Sequence, residues 1–475
     1  MSDILRPDIC VIGAGSAGLT IAAAGAAFGA SVVLVEKGKM GGDCLNYGCV
    51  PSKALIAAAK HAHAIAEAGT FGISAGEPEI DYKRVHDHIH EVIAAIEPND
   101  SEERFTGLGV NVIRAAGRFT GRHTLVAGES EIEARRFVIV TGSSPLVPPI
   151  SGLDTVPYLT NESIFDLTKL PRHLVIIGGG PIGMEMAQAF VRLGAEVTVL
   201  EALTAMGRDD PELAGRVVDA VRADGVIIRE GARVTGVAKH GRAGVRVTIE
   251  TETGEETLDG SDLLVAVGRA PNIGDLGLEE AGVAYDHSGI KVDARLRTVN
   301  RRIYAAGDIT GGHQFTHWAG YHAGLVIRSI LFRFGGKVNN DLITWATYTD
   351  PELAHVGLSE DQARQRHRDI RILRWPYAEN DRAQTERATT GEVKVITTKN
   401  GRIVGAGIVG RNAGELIALW ALAVSQKLNI KALTGTVLPY PTLSETAKRA
   451  AVTFYTPSLQ SPWLKRLIGF LRLFG

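Results

Sequence analysis

Four apolar residues, Ile9-Cys10-Val11-Ile12, run straight into Gly13-Ala14-Gly15-Ser16-Ala17-Gly18. A small-residue segment, Leu19–Phe28, has the character of a helix, and a second apolar strand, Ser31–Val35, ends on Glu36. This is a βαβ unit with the G-x-G-x-x-G spacing, in which glycines allow a tight turn and a close approach of backbone to pyrophosphate. An acid closing the second strand is placed to hydrogen-bond a ribose hydroxyl. The pattern recurs at Leu174–Ile177, Gly178-Gly179-Gly180-Pro181-Ile182-Gly183, a helix to Leu193, and a strand Glu196–Leu200 ending at Glu201. A plain glycine turn is the alternative for either motif taken alone. Strand before, helix after and acid in place argue for binding in both, so the chain is α/β with two Rossmann-like dinucleotide-binding domains.

Glu201 bears on the coenzyme. A carboxylate there accepts from a free 2′-hydroxyl and repels a 2′-phosphate, which favours NADH. Arg208 follows in the next loop and keeps NADPH open.

Between the two units, Asp81–Leu108 reads as helical and Val110–Val140 as short strands with glycine turns. Asp262–Gly268 and Arg302–Ala306 read as further strands. From about Leu342 the pattern changes to strands at Gly391–Thr397 and Ile403–Gly410, then helices at Gly414–Lys427 and Ser444–Phe454, the signature of a separate α+β domain. The 475 residues include 55 glycines, more than the average share of roughly 7%, in keeping with many close backbone approaches. A formal net charge of -2 gives no electrostatic reason to expect a nucleic-acid partner.

Only three cysteines occur, too few for a disulfide-stapled secreted scaffold. The beginning of the sequence has no apolar signal core and no run is long enough to span a membrane, so a cytoplasmic, reducing setting is expected. Cys10 reads as a small buried hydrophobe. Cys44 and Cys49 form a Cys-x4-Cys pair at what reads as the start of one helix, where the first turn can bring both sulfurs within bridging distance. A helix N-terminus and a nearby cation lower thiol pKa. Metal ligation is the alternative, but two cysteines with no flanking His or Cys fall short of a tetrahedral zinc set, and no metal site is expected.

Gly41-Gly42-Asp43-Cys44-Leu45-Asn46-Tyr47-Gly48-Cys49-Val50-Pro51-Ser52-Lys53 resembles the active-site signature of the pyridine nucleotide–disulfide oxidoreductases, which include dihydrolipoamide dehydrogenase, glutathione reductase and mercuric reductase. The likeness extends to about Tyr455. Thr141-Gly142-Ser143 and Gly268-Arg269 resemble the family's two glycine crossings, Gly307-Asp308 its second FAD motif, and Tyr348–Glu352 the entry to its dimerisation domain. The resemblance implies FAD along Gly13, Gly15, Gly18, Glu36, Lys37, Gly42, Lys53, Gly117, Thr141, Gly142, Ser143, Gly307 and Asp308. It implies a nicotinamide coenzyme along Gly178, Gly180, Pro181, Ile182, Gly183, Glu185, Glu201, Gly268 and Arg269. Cys49 becomes the thiol against the flavin, Cys44 the interchange thiol, and Lys53 the flavin-side cation paired with Glu185. His317 either lines the FAD pocket or is a structural histidine. The implied order is 1–150 and 272–341 for FAD, 151–271 for NAD(P), and 342–457 for homodimerisation.

Thiol reductases of this family end in His-Pro-x-x-x-Glu, the histidine moving a proton at the partner subunit's interchange thiol. Here the segment is Tyr440-Pro441-Thr442-Leu443-Ser444-Glu445. A phenol is a poor base at pH 7, though it can donate. Low dihydrolipoamide activity is therefore expected, with Tyr440 and Glu445 as candidate catalytic groups. Mercuric reductases resemble the sequence at this tyrosine and at Gln314-Phe315-Thr316. No cysteine follows Cys49, however, so their C-terminal cysteine pair has no counterpart. The expected enzyme is mercuric-reductase-like, with a small molecule or small protein as acceptor. A dihydrolipoamide dehydrogenase, a glutathione-reductase-type enzyme and a membrane-associated redox sensor are the rival readings.

Residues 458–475 read as an amphipathic basic helix. Trp463, Leu464, Leu467, Ile468, Leu471 and Phe474 share one face, with Lys465, Arg466 and Arg472 opposite. Such a helix suits a membrane surface or docks on its own dimer.

Overall fold

The computed structural model describes residues 4–76, 78–242 and 244–474. These form two compact units. One holds the described residues through Gly179 with Ala189–Ala202 and Arg229–Val338; the other holds Gly180–Gln188, Leu203–Ile228 and the described residues from Asn339 onward.

The first unit is organised on a five-stranded parallel sheet in the order Ile303–Ala305, Arg136–Ile139, Ile9–Ile12, Val32–Val35, Asn111–Ile113. Ile9 to Ile12 are all buried, which explains the unbroken apolar run: a parallel strand covered on both faces has no solvent side to alternate with. Helices Ser16–Ala27 and Thr316–Leu331 share one core, in which Ile21 and Ala22 join Ala323 and Val326. The small residues of the first helix let it sit close to the sheet; a Cβ on Gly25 would lie 2.9 Å from Val32 Cγ2. A second parallel array places His173–Ile177 between Glu196–Leu200 and Asp262–Val265. An antiparallel meander, Arg233–His240, Gly244–Thr251 and Gly254–Gly260, accompanies it.

The second unit carries a five-stranded antiparallel sheet in the order Thr344–Thr347, Glu352–Gly357, Ile403–Gly410, Glu392–Thr398, Ile370–Pro376. Helices Ala413–Ser425 and Glu445–Val452 bury Ile417, Trp420, Ala447, Ala450 and Ala451 in a core with Val356, Val393 and Ile408.

Three local expectations change. The first helix begins at Ser16, directly after the glycine turn, three residues earlier than its small-residue run suggested. The segment 81–108 is two helices, Tyr82–Ile96 and Glu102–Gly107. Pro98 lies in the tighter turn between them, and the Ser101 side chain caps the second. Most importantly, the two cysteines are not on one helix. Cys44 lies in the short helix Gly42–Asn46 and Cys49 opens a separate helix, Cys49–Glu67, with Tyr47-Gly48 between. A Cβ on Gly48 would sit 2.8 Å from Asp43 Oδ2, so glycine there lets the chain fold back.

Candidate active site

Both cysteines are free thiols, Cys49 exposed and Cys44 half-buried. They share a hydrogen bond and titrate apart. The Cys44 thiol donates to Cys49 and, with Lys53 nearby, brings Cys49 down to about 6 against the opposing effect of burial. The same bond, with burial, pushes Cys44 far up. One proton is thus held by the pair, and the thiolate is Cys49. Cys49 is also the first residue of its helix, where unpaired N–H groups favour a negative charge. Thr316 Oγ1 stands 3.3 Å from Cys49 Sγ at the start of another helix, Thr316–Leu331.

The cysteine loop is fixed by polar contacts. Asp43 pairs with Arg269 at 3.0 Å and accepts from Asn161 Nδ2 at 3.1 Å, and Asn161 also donates to the Tyr47 carbonyl. Arg269 donates to the Ser143 hydroxyl and carbonyl, and that hydroxyl donates to Asp308 Oδ2 at 2.6 Å. Burial raises the pKa of Asp308 while the Ser143 bond works against it. The two expected crossings meet as a short antiparallel pair, Ser143–Pro145 with Arg269–Pro271. Thr141 and Asn272 lock them with reciprocal bonds of 3.0 and 2.9 Å.

The first fingerprint fits a pyrophosphate. Gly13 has φ +109°, and a Cβ there would meet the Val140 carbonyl oxygen at 2.5 Å. A Cβ on Gly18 would be 1.9 Å from the Gly13 oxygen, and one on Gly42 would be 2.8 Å from Gly15 Cα. Gly15 alone faces open space, at the end of a helix with no side-chain cap and no acid in its first turn. Glu36 holds the turn, accepting from the Ala14 and Gly38 amides, both at 2.6 Å. Lys37 beyond it is exposed. Gly117 lies in a strand against Val35 and Leu125 side chains.

The second fingerprint repeats this design. Gly178 has φ +112°, Gly180 faces open space, and Glu201 accepts from the Gly179 amide at 2.7 Å. Helix Pro181–Arg192 carries Ile182, Gly183 and Glu185. Lys53 and Glu185 fall in different units. Lys53 donates to Ser52 Oγ; Glu185 is buried and accepts from the Tyr348 amide at 2.8 Å.

Tyr440 is 68% exposed and donates to Asp381 Oδ2 at 2.8 Å, a bond that raises its pKa. Glu445 is not its partner; it pairs with Arg449 one turn along its own helix. Asn380, adjacent to Asp381, caps the helix Asp381–Thr385 and donates to the Thr442 carbonyl. His317 is exposed and stacks on Phe315 at 5.4 Å. The buried histidine of that helix is His322, which burial takes down to about 4 and which accepts from the Gly307 amide. Among the described residues, no group of three His, Cys, Asp or Glu side chains is placed to hold a metal ion.

Sequence reasoning passed over Asp43, Asn161, Thr316, Asn380 and Asp381. Asp43 and Thr316 stood inside motifs already singled out. Asn161 carried no local signal. Asn380-Asp381 has only the pattern of a capping asparagine before a short helix.

The pyridine nucleotide-disulphide oxidoreductase model matches residues 7–323, and the dimerisation-domain model of the same family matches 343–451. The chain is 33% identical to a mercuric reductase of Lysinibacillus sphaericus over 94% of its own length and 82% of the relative's. It is also 33% identical to a dihydrolipoyl dehydrogenase of Thermus scotoductus, over 95% of this chain and 98% of that one. Among solved structures, the Cu(II) complex of the HOCl-induced flavoprotein disulfide reductase RclA from Escherichia coli superposes with a TM-score of 0.83 at 30% identity, covering 93% of this chain and 98% of that one.

A thiol pair on a loop against a glycine-turn nucleotide fold defines a flavoprotein disulfide oxidoreductase. The chain belongs to the pyridine nucleotide-disulphide oxidoreductases. The family is FAD-dependent with NAD(P)H as electron donor, and the dimerisation domain supports a homodimer.

Proposed function

We propose that this enzyme takes electrons from NADH, through FAD, to the Cys44–Cys49 pair and on to a soft acceptor, a disulfide or a thiophilic metal ion. The observation that carries this reading is the division of labour between the two sulfurs, with a thiolate at Cys49 held by the Cys44 proton. When bound, FAD accepts hydride from the coenzyme and delivers an electron pair to the Cys44–Cys49 disulfide. The chain supplies the rest. The Gly13–Gly18 turn and the uncapped helix receive the pyrophosphate, and Asp308, with Ser143 on it, takes the ribityl side. Glu36 and Glu201 serve the two ribose ends, Glu201 favouring the unphosphorylated coenzyme. Lys53 and the helix N-terminus hold the charge on Cys49 while Cys44, as the nucleophile, attacks the acceptor.

With a disulfide acceptor the balance is NADH + H⁺ + RSSR → NAD⁺ + 2 RSH. The Cys44 sulfur displaces the first thiolate, and Cys49 then displaces the second by re-forming the pair. The first leaving thiolate takes the proton that Cys44 gives up as it attacks, and the second takes the proton of the equation, which the Tyr440 hydroxyl can relay from solvent more readily than it can remove one. That asymmetry favours acceptor reduction over dithiol oxidation, so the dihydrolipoamide reaction is the weaker reading despite the dihydrolipoyl dehydrogenase relatives. The mercuric reductase relatives and the Cu(II)-bound RclA structure support a metal ion as one class of acceptor.

The test is an acceptor screen under NADH and NADPH with disulfides, thiophilic metal ions and quinones, with Cys44→Ser as the control. Turnover that needs Cys44 and a higher kcat/KM with NADH bears the reading out. A strong NADPH preference overturns the coenzyme assignment, and acceptor turnover indifferent to Cys44→Ser overturns the route.

A further inference from the structure

The last described helix, Pro462–Leu471, carries its own start signals yet leaves most of its apolar side exposed, only Leu464 and Leu467 being half-buried. Ser461 caps it and Pro462 occupies its first turn, so its start is well defined. None of its residues is buried. Trp463 is 69% exposed and Phe474, just beyond the helix, 75%; Ile468, Phe470 and Leu471 are each at least half exposed. At about 100° per residue, Phe470, Trp463, Phe474, Leu467, Leu471, Leu464 and Ile468 fill an arc of roughly 160°. Arg472, Lys465 and Arg466 lie in the remainder, together with Gly469 and the exposed Leu473. No Asp or Glu follows Glu445 in the sequence, so nothing local neutralises these three cations. Among the described residues they make no ion pair.

We infer that this helix docks on an anionic lipid surface. Charge decides between the occupants. A leaflet of anionic headgroups offers a counter-charge to all three cations while the apolar arc enters the acyl boundary, with Trp463 at the level of the headgroups. A helix of ten residues is about 15 Å long, half the roughly 30 Å hydrocarbon core, so it lies in the interface and does not span it. No helix among the described residues is long and apolar enough to cross a membrane. A single helix of this length binds weakly, but a homodimer carries two. If both reach one surface, the second adds avidity on the order of a hundredfold or more. The contact is independent of which acceptor the cysteines serve.

Co-sedimentation of the FAD-loaded full-length protein with phosphatidylcholine vesicles, with and without phosphatidylglycerol, tests this directly. The protein should pellet with the anionic vesicles and stay in solution with the neutral ones, and raised salt should release it. The combined Lys465→Gln, Arg466→Gln, Arg472→Gln variant should bind at least about tenfold more weakly. Trp463→Ser with Leu467→Ser should do likewise at unchanged charge, and a chain ending at Gln460 should not bind. NADH oxidation in solution should be the same in all of them. Failure of the full-length protein to pellet with anionic vesicles, or equal pelleting by the shortened chain, overturns the inference. A shortened chain that loses its dimer, where the full-length protein ignores vesicles, assigns the helix to its own partner subunit.

Discussion

The cysteine loop and the Tyr440 loop, the two places where the proposed function puts chemistry, are built in opposite ways. Asp43, Asn161, Arg269, Ser143 and Asp308 form one continuous network behind the cysteines, and Gly41 and Gly42 bring the loop onto the first fingerprint turn. Tyr440 hangs on one hydrogen bond to an exposed carboxylate and one neighbouring asparagine bond. The difference separates two demands. Electrons from a fixed cofactor need sulfurs in one geometry, whereas an acceptor arriving from solvent needs an open approach and a proton source. A family can therefore keep the first loop and exchange the second.

Replacing Cys44 by Ser should abolish acceptor turnover by on the order of a thousandfold while leaving FAD and NADH binding intact. Binding titrations beside steady-state assays separate the two. Loss of cofactor along with activity would mean that the loop is structural support for the flavin and would break the contrast.

The next largest effect is in pH. Because the folded pKa of Cys49 is depressed to about 6, its thiolate persists from the ordinary thiol range down to that value and is lost below it. Alkylation of the reduced enzyme at Cys49 should be nearly flat between pH 7 and 9. It should fall about tenfold per pH unit once well below 6. Cys44, raised by the same bond, should react only at strongly alkaline pH or after Cys49 is blocked. Mass spectrometry of the modified peptides reads both. A Cys49 rate still climbing above pH 8 would refute the shared proton.

Much of the first loop was legible in the residues, and little of the second. The fingerprints declared themselves because glycine at Gly13 and Gly18 answers steric demands that no other residue meets, Gly15 leaves the helix start open, and an apolar strand before them sets the frame. The cysteine spacing was legible too, but not the break at Tyr47-Gly48, because a helix interrupted by one glycine reads locally like a helix that continues. Asn161 could not be found, since its bonds to Asp43 and Tyr47 span more than a hundred residues and leave no local pattern. The separate partners of Tyr440 and Glu445, two candidate groups of one segment, were not legible either. Arg449 stands four residues from Glu445 on the same helix face and takes the carboxylate, which leaves the phenol to Asp381.

Substitution of Tyr440 tests whether the open loop sets the direction of the chemistry. Tyr440→His restores a base that titrates near neutrality, and dihydrolipoamide oxidation should rise by on the order of a hundredfold. Acceptor reduction should change less, about tenfold at most, because imidazolium also donates. Equal rates in both directions before and after the exchange would show that proton supply is not what the loop selects.

The smallest expected effect belongs to Asp381. Its carboxylate accepts a hydrogen bond from the Tyr440 hydroxyl and raises the phenol pKa, so the phenol remains a donor to higher pH than a free tyrosine. Asp381→Asn removes that charge but keeps an acceptor oxygen in place. The hydroxyl should stay oriented, with acceptor turnover at pH 7 falling only about threefold, while the phenol now ionises nearer its ordinary value. The alkaline limb of the rate profile should therefore move to lower pH, and Tyr440→Phe, with no proton to lose, should show no such limb at all. A rate profile that moves the same way in Asp381→Asn alone and in Asp381→Asn combined with Tyr440→Phe would place the ionisation elsewhere. Then the phenol would be an acceptor contact only, and the contrast between the two loops would rest on exposure alone.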